Sequence, residues 1–193
     1  MNLVGHSMGG KVAMALALAF PQRVSGLMIL DIAPVSYTYR DPSWNSVKKI
    51  IDSLLLHVHL APGKTRRELE LDLRESVEDP AMRSFILTNL ETTKGQEHQL
   101  KWKINIEAIA SQLDNIAGFD VSDLENFGES PVYDGDTFII NGGMSPFVKG
   151  SHLPVISSYF PNYLLSTIRG AGHWVHVEAH DDTLALLKRY LDR

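Results

Sequence analysis

Residues 1–10 read MNLVGHSMGG and residues 24–32 read VSGLMILDI. Between them Met8, Val12, Met14, Ala15, Leu18 and Ala19 recur at helical spacing until Pro21 ends the pattern. Asn2-Leu3-Val4 has strand character and is expected to stop at Gly5. The run 24–32 is almost continuously apolar and of strand length, as in a strand covered on both faces within a parallel sheet. Strand, sharp turn, helix and strand in so short a span make a βαβ unit, which implies an α/β architecture.

The turn itself is Gly5-His6-Ser7-Met8-Gly9. A serine on a strand-to-helix turn of the form Gly-X-Ser-X-Gly is held in a strained conformation at the top of the sheet, with Gly5 and Gly9 expected to relieve the close approach of the chains. The following helix start offers free N–H groups and the positive end of a dipole, so the Met8 N–H is a candidate oxyanion donor. Gly-rich turns at this place also bind phosphate. That alternative calls for further glycines with a Lys-Ser/Thr pair or an acidic ribose ligand, and Lys11 alone is poor support for it.

Composition limits the rest. The 193 residues are 44% hydrophobic and 21% charged, an ordinary composition for one globular domain with a sizeable core. A net charge of -5 gives no electrostatic reason to expect nucleic acid. The absence of cysteine excludes disulfides, Cys-ligated zinc and a thiol nucleophile. No apolar run reaches the roughly 18 to 20 residues of a membrane span, and residues 1–10 have neither the basic start nor the cleavage site of a signal peptide.

Residues 36–130 have a different character. They are charged and read as helices at 43–57, 64–77, 80–90 and 104–117, with a turn at Lys94-Gly95 and no convincing strand. A helical insertion between strands is expected to form a cap, whose Trp44, Phe85 and Trp102 either line an apolar pocket or belong to its core. Strand pattern resumes at 137–141 and is broken by Gly142-Gly143. A helix at 150–160, a last strand at 163–168 and an amphipathic helix at 178–192 complete the chain.

A serine hydroxyl needs a base. Of the eight histidines, His173 falls in Gly170-Ala171-Gly172-His173-Trp174, between the last strand and the last helix. The chain order serine, acid, histidine suits a Ser–His–acid triad there. His176 either lines the pocket or faces solvent, and His6 reads as a packing and hydrogen-bonding residue of the turn. His57, His59, His98, His152 and His180 read as surface or lid residues, and no histidine pair with a carboxylate has spacing that compels a metal site.

The acid is less direct. The loop after the strand at 137–141 holds no carboxylate, and Ser145 stands where an aspartate is common. Asp31 ends the apolar run 24–32 as an abrupt charge, at the strand end where α/β sites assemble, and burial there demands a partner. Glu107 is the alternative acid and would need the cap to fold down over the serine; Asp114 and Asp136 are outsiders.

GHSMGGK, LDIAPV, TNLE followed by WKINIEAI, GGMSPFV and GAGHWVH together resemble one branch of the α/β-hydrolase superfamily. That branch includes α/β-hydrolase domain-containing protein 11, related bacterial esterases and the fungal ethanol acetyltransferases. The resemblance covers essentially the whole chain. It implies an α/β-hydrolase fold, an acyl-serine mechanism on small-molecule esters or thioesters with water or an alcohol as acceptor, and neither cofactor nor metal. It also supports Asp31, because members of the branch take their acid from the strand after the elbow. A mitochondrial location is implied for eukaryotic members.

Such proteins carry further strands ahead of the elbow, together with a loop whose N–H completes the oxyanion hole. The resemblance therefore implies an N-terminally truncated chain, a partial domain over 1–193 with the first strands missing. On that reading the chain by itself is expected to be inactive and poorly folded. A catalytically dead relative that binds a partner is the alternative function.

Overall fold

The computed structural model describes residues 1–56, 58, 60–93, 99–121 and 131–192. Its elements in chain order are β1 (Asn2–His6), α1 (Met8–Ala19), β2 (Gly26–Leu30), α2 (Pro42–Leu56), α3 (Arg66–Asp72), α4 (Pro80–Leu87), β3 (Leu90–Thr92), β4 (Leu100–Trp102), α5 (Ile106–Ser111), α6 (Leu113–Ala117), β5 (Thr137–Gly142), α7 (Leu153–Tyr159), β6 (Tyr163–Ile168), α8 (Val175–Glu178) and α9 (His180–Leu191). They form two compact units, residues 1–36 with 118–193, and residues 37–117.

The first unit is a four-stranded sheet in the order β1-β2-β5-β6, parallel throughout. β2 and β5 are buried along their whole length, which is why both read as unbroken apolar runs. On one face Met28, Leu30, Phe138 and Ile140 pack with Ile168, Val175 and Tyr190. Tyr190 fixes α9 to the strand starts: its hydroxyl donates to the Asp136 carbonyl at 2.6 Å and accepts the Leu27 N–H at 3.1 Å. Ala13, Met14, Ala17 and Leu18 of α1 are buried, whereas Met8, Val12, Leu16 and Phe20 are exposed.

Two sequence expectations about glycine change here. Gly5 does not end β1 but lies inside it, where an added Cβ would come within 2.3 Å of the Gly9 carbonyl oxygen. The second glycine that close packing demands is Gly10, whose Cβ would meet Ile32 at 2.6 Å, while Gly9 has open space. The break expected at Gly142-Gly143 does fall there: β5 ends at Gly142, where the carbonyl of Gly172 leaves no room for a side chain.

The second unit is a small helical body around Leu54, Leu69, Leu73, Val77, Ile86, Leu87, Leu90 and Ile106. Local sequence explains its helix starts. Thr65 and Glu68 form a capping box on α3, Asp79 caps α4 ahead of Pro80, and Asn105 caps α5. The segment expected to lack strands contains an antiparallel pair, β3 with β4, in which Leu90 faces Trp102. The helix expected over 104–117 is two, α5 and α6, parted at Gln112, and that over 64–77 ends as a 3₁₀ turn, Leu73–Glu75. Trp44 is buried, Trp102 packs against the core and Phe85 is exposed. The turn at Lys94-Gly95 and residues 122–130 lie outside the described residues.

Among the described residues no helix is long and apolar enough to cross a membrane.

Candidate active site

The parallel register decides which residues meet. His6 pairs with Leu30 and Leu30 with Ile140, so the residues that follow β1, β2 and β5 emerge side by side at one edge of the sheet. The ladder extends past the strands: the Ser7 N–H donates to the Leu30 carbonyl at 3.1 Å, and the Asp31 N–H to the Ile140 carbonyl at 2.8 Å. This is the carboxyl edge where sites of open α/β sheets form.

Ser7 and Asp31 share an uncommon backbone. Their φ values of 52° and 53° are the two positive ones among the described non-glycine residues. Such conformations cost of order 1–3 kcal/mol and persist where the surroundings over-determine them. Ser7 also occupies the N-cap position of α1, yet its side chain makes no capping bond. A serine there ordinarily accepts an N–H of the first turn. Here Oγ is turned instead toward His173, whose Nε2 lies 2.9 Å away. As the first amide of the helix, the Met8 N–H has no intrahelical acceptor and belongs to the residue directly after Ser7.

Asp31 is fully buried and both oxygens of its carboxylate are engaged. Oδ1 accepts the Gly142 N–H at 2.9 Å, while Oδ2 accepts the Ser145 hydroxyl and lies 2.7 Å from Nδ1 of His173. A carboxylate only accepts, so Nδ1 of His173 carries the proton. Nε2 then presents its lone pair to the serine hydroxyl. Phe147 stacks on the imidazole, with centroids 4.0 Å apart and planes at 27°. Ser7, Asp31 and His173 thus form one hydrogen-bonded line within the first unit.

Glu107 sits in the second unit, exposed, in the first turn of α5. Asp114, on α6, and Asp136, before β5, are exposed as well, and neither has a bond to His173. His57, His59 and His98 lie outside the described residues. His152 accepts the Lys149 N–H, His180 lies beside Asp181, and His176 is exposed with its ring against His6. Among the described residues no group of three or more His, Asp or Glu is placed to hold a metal. The Lys11 ammonium is buried and donates to the Gly118 carbonyl at 2.9 Å, and burial lowers its pKa to about 8.

His6 does more than pack. Its Nε2 is 2.9 Å from the His173 carbonyl oxygen, so that nitrogen carries a proton and donates it. Burial lowers the His6 pKa from 6.5 to about 4, helped by the neighbouring His173 and His176 and opposed by the bond to the carbonyl. The unfolded chain therefore binds a proton that the native chain refuses between those two values. Below about pH 4 both states are protonated, and above 6.5 neither is. Stability is expected to fall as pH drops through that window. Thermal midpoints measured from pH 7 to 4 should decline less steeply in His6→Gln than in the parent; parallel curves would contradict the assignment.

Sequence reading misses the contribution of Glu178, because periodicity puts it at the start of a helix over 178–192. That helix starts at His180, and Glu178 instead closes α8. Its carboxylate turns back to accept the Gly172 N–H at 2.6 Å and the Trp174 N–H at 3.0 Å.

A family model described as alpha/beta hydrolase fold matches residues 1–180. The sn-1-specific diacylglycerol lipase ABHD11 of Danio rerio is 33% identical over 98% of this chain and 56% of its own length. Esterase YbfF of Escherichia coli (strain K12) is 29% identical over 99% of this chain and 67% of its own. A solved marine microorganism esterase superposes with a TM-score of 0.85 at 33% identity, covering 98% of this chain and 68% of that one. The chain spans just over half the length of the lipase it matches.

Proposed function

The chain belongs to the alpha/beta hydrolase fold family, and from that premise we propose that it is a carboxylic ester hydrolase acting through an acyl-serine. The observation that carries the proposal is the line from Ser7 Oγ through both nitrogens of His173 to the buried Asp31. His173 Nε2 takes the Ser7 proton as Oγ attacks the ester carbonyl carbon. The carbonyl oxygen becomes an oxyanion facing the Met8 N–H, and Asp31 stabilises the imidazolium without itself taking the proton. Collapse breaks the ester bond, and the leaving alcohol receives the proton from Nε2. Water then gives a proton to Nε2 and attacks the acyl carbon; the bond from that carbon to Oγ breaks, Oγ takes the proton back from Nε2, and the acid is released. A thioester enters the same cycle with a thiol as leaving group. An alcohol in place of water gives a new ester, the transfer reaction implied by the resemblance to ethanol acetyltransferases.

Ser145 belongs to the same arrangement as a positioning residue. It supplies a hydroxyl to the acid where the strand-end loop of β5 has no carboxylate of its own.

The test is labelling by a fluorophosphonate, which reacts with an activated serine whatever the natural substrate. In the whole protein, stoichiometric labelling of Ser7, located by peptide mass, is expected. Absence of labelling would favour the alternative of a partner-binding relative without catalysis.

A further inference from the structure

The base sits in a loop, Gly170 to Trp174, that begins at a glycine of φ 80° and belongs to no strand or helix. Loops of this kind are the mobile part of a fold, yet a general base must hold its nitrogen within hydrogen-bond reach of the nucleophile. Two side chains supply what secondary structure does not. Glu178 Oε2 accepts the N–H of Gly172 and Oε1 that of Trp174, the residues on either side of His173. His6 donates to the carbonyl of His173 itself. Three consecutive residues are thus gripped through their backbone, and the Glu178 amide donates to the carbonyl of Trp174, the last residue of the loop, at 2.8 Å.

Burial does not account for Glu178, since its side chain is at the surface. No ion pair accounts for it either: among the described residues it meets no Lys or Arg within salt-bridge distance. Both of its oxygens are spent on the amides that bracket the base. We infer that Glu178 is a positioning residue for His173, its carboxylate bracketing the base by accepting the N–H groups on both sides of it, and so setting where Nε2 meets Ser7. The inference rests on His173 being the base of the proposed reaction.

Gly172 gives access to the same contact from the other partner. A Cβ there would come within 2.9 Å of Glu178 Oε2, so Gly172→Ala pushes the carboxylate away without touching Glu178. Glu178→Gln keeps one acceptor oxygen for two amides and Glu178→Ala keeps none.

Each variant and the parent are titrated with a fluorophosphonate to count reactive serines. Ester turnover is then expressed per reactive serine. A loss of kcat of about tenfold in Glu178→Gln and about 10²-fold in Glu178→Ala is expected, with KM little changed, because slight misplacement of a catalytic group costs that much. Gly172→Ala should resemble Glu178→Gln. A purely structural role would lower the number of reactive serines or the thermal midpoint and leave the rate per serine at the parental value, and that result overturns the inference. The low-field proton resonance of His173 Nδ1–H against Asp31 is read in parallel and needs no turnover. It should weaken or move in Glu178→Ala, and an unchanged resonance overturns the inference even in an inactive protein. Labelling that survives Ser7→Ala would instead bring down the proposed reaction and leave the resonance as the measure of the loop.

Discussion

In the whole protein, Ser7→Ala is expected to remove fluorophosphonate labelling completely and to lower ester turnover by on the order of 10⁶-fold, the scale at which a serine nucleophile is lost in enzymes of this logic. The substitution deletes one oxygen. It does not change the backbone demand, because alanine, like serine, must accept the strained φ of 52° at the tip of the turn. It does not remove a helix cap, because Oγ makes no capping bond to α1. What disappears is the bond to Nε2 of His173, with the imidazole still held by Asp31 and Phe147. The thermal midpoint should therefore stay close to that of the parent while turnover collapses. Ser7→Gly provides the complementary control: it relieves the positive φ and should unfold no earlier than Ser7→Ala, with the same loss of activity. Turnover within about tenfold of the parent in either variant would exclude acyl-serine chemistry at this position.

The parts of this site that can be read in the sequence are those whose cause is local or periodic. Ser7 is legible because a glycine-flanked serine between an apolar strand and a helix has few other uses. Asp31 is legible because a charge that ends an unbroken apolar run needs a partner, and β2 is buried from end to end. His173 follows from its place after β6, whose span, Tyr163–Ile168, matches the strand read from the sequence. Helix boundaries are less readable. One residue, Gln112, parts α5 from α6 without disturbing the helical period on either side, so the pattern over 104–117 looks continuous.

The β3–β4 pair shows a different limit. Each strand is three residues long, and its stability comes from partners such as Leu90 and Trp102 that are distant in sequence, where alternation has no length in which to appear. Gly10 and Glu178 escape for a third reason. Gly10 matters because of Ile32, and Glu178 because of two backbone amides. An amide N–H is present at every residue but proline, so it leaves no mark in the sequence to show where a carboxylate will bind. Ser145 lies between these cases: the missing carboxylate of its loop is visible in the sequence, but its bond to Asp31 is not.

Asp31→Asn is expected to lower kcat by about 10⁴-fold, the penalty that the equivalent change carries in the serine proteases, whereas Glu107→Gln should leave it within about twofold, the range of a surface substitution away from the chemistry. The geometry fixes how the new amide sits. The Gly142 N–H points at Oδ1, so an amide nitrogen placed there would set donor against donor. The oxygen of the introduced side chain must take that side, and its nitrogen must face His173 Nδ1 and the Ser145 hydroxyl. An NH₂ group only donates, so Nδ1 is forced to accept and the imidazole proton moves to Nε2. Nε2 then points a hydrogen at Ser7 Oγ and cannot receive the serine's proton. The wrong tautomer is held in place by the same contacts that held the right one. Backbone strain does not confuse the comparison, since asparagine tolerates positive φ as well as aspartate does. Ser145 keeps a partner because its hydroxyl can turn to accept from the new NH₂ group. The expected signature is a folded protein with a near-parental thermal transition, an intact Ser7 and slow labelling by the fluorophosphonate. Should Glu107→Gln prove the crippling change and Asp31→Asn the mild one, the acid would belong to the second unit, and the bond from Asp31 to His173 would be structural alone.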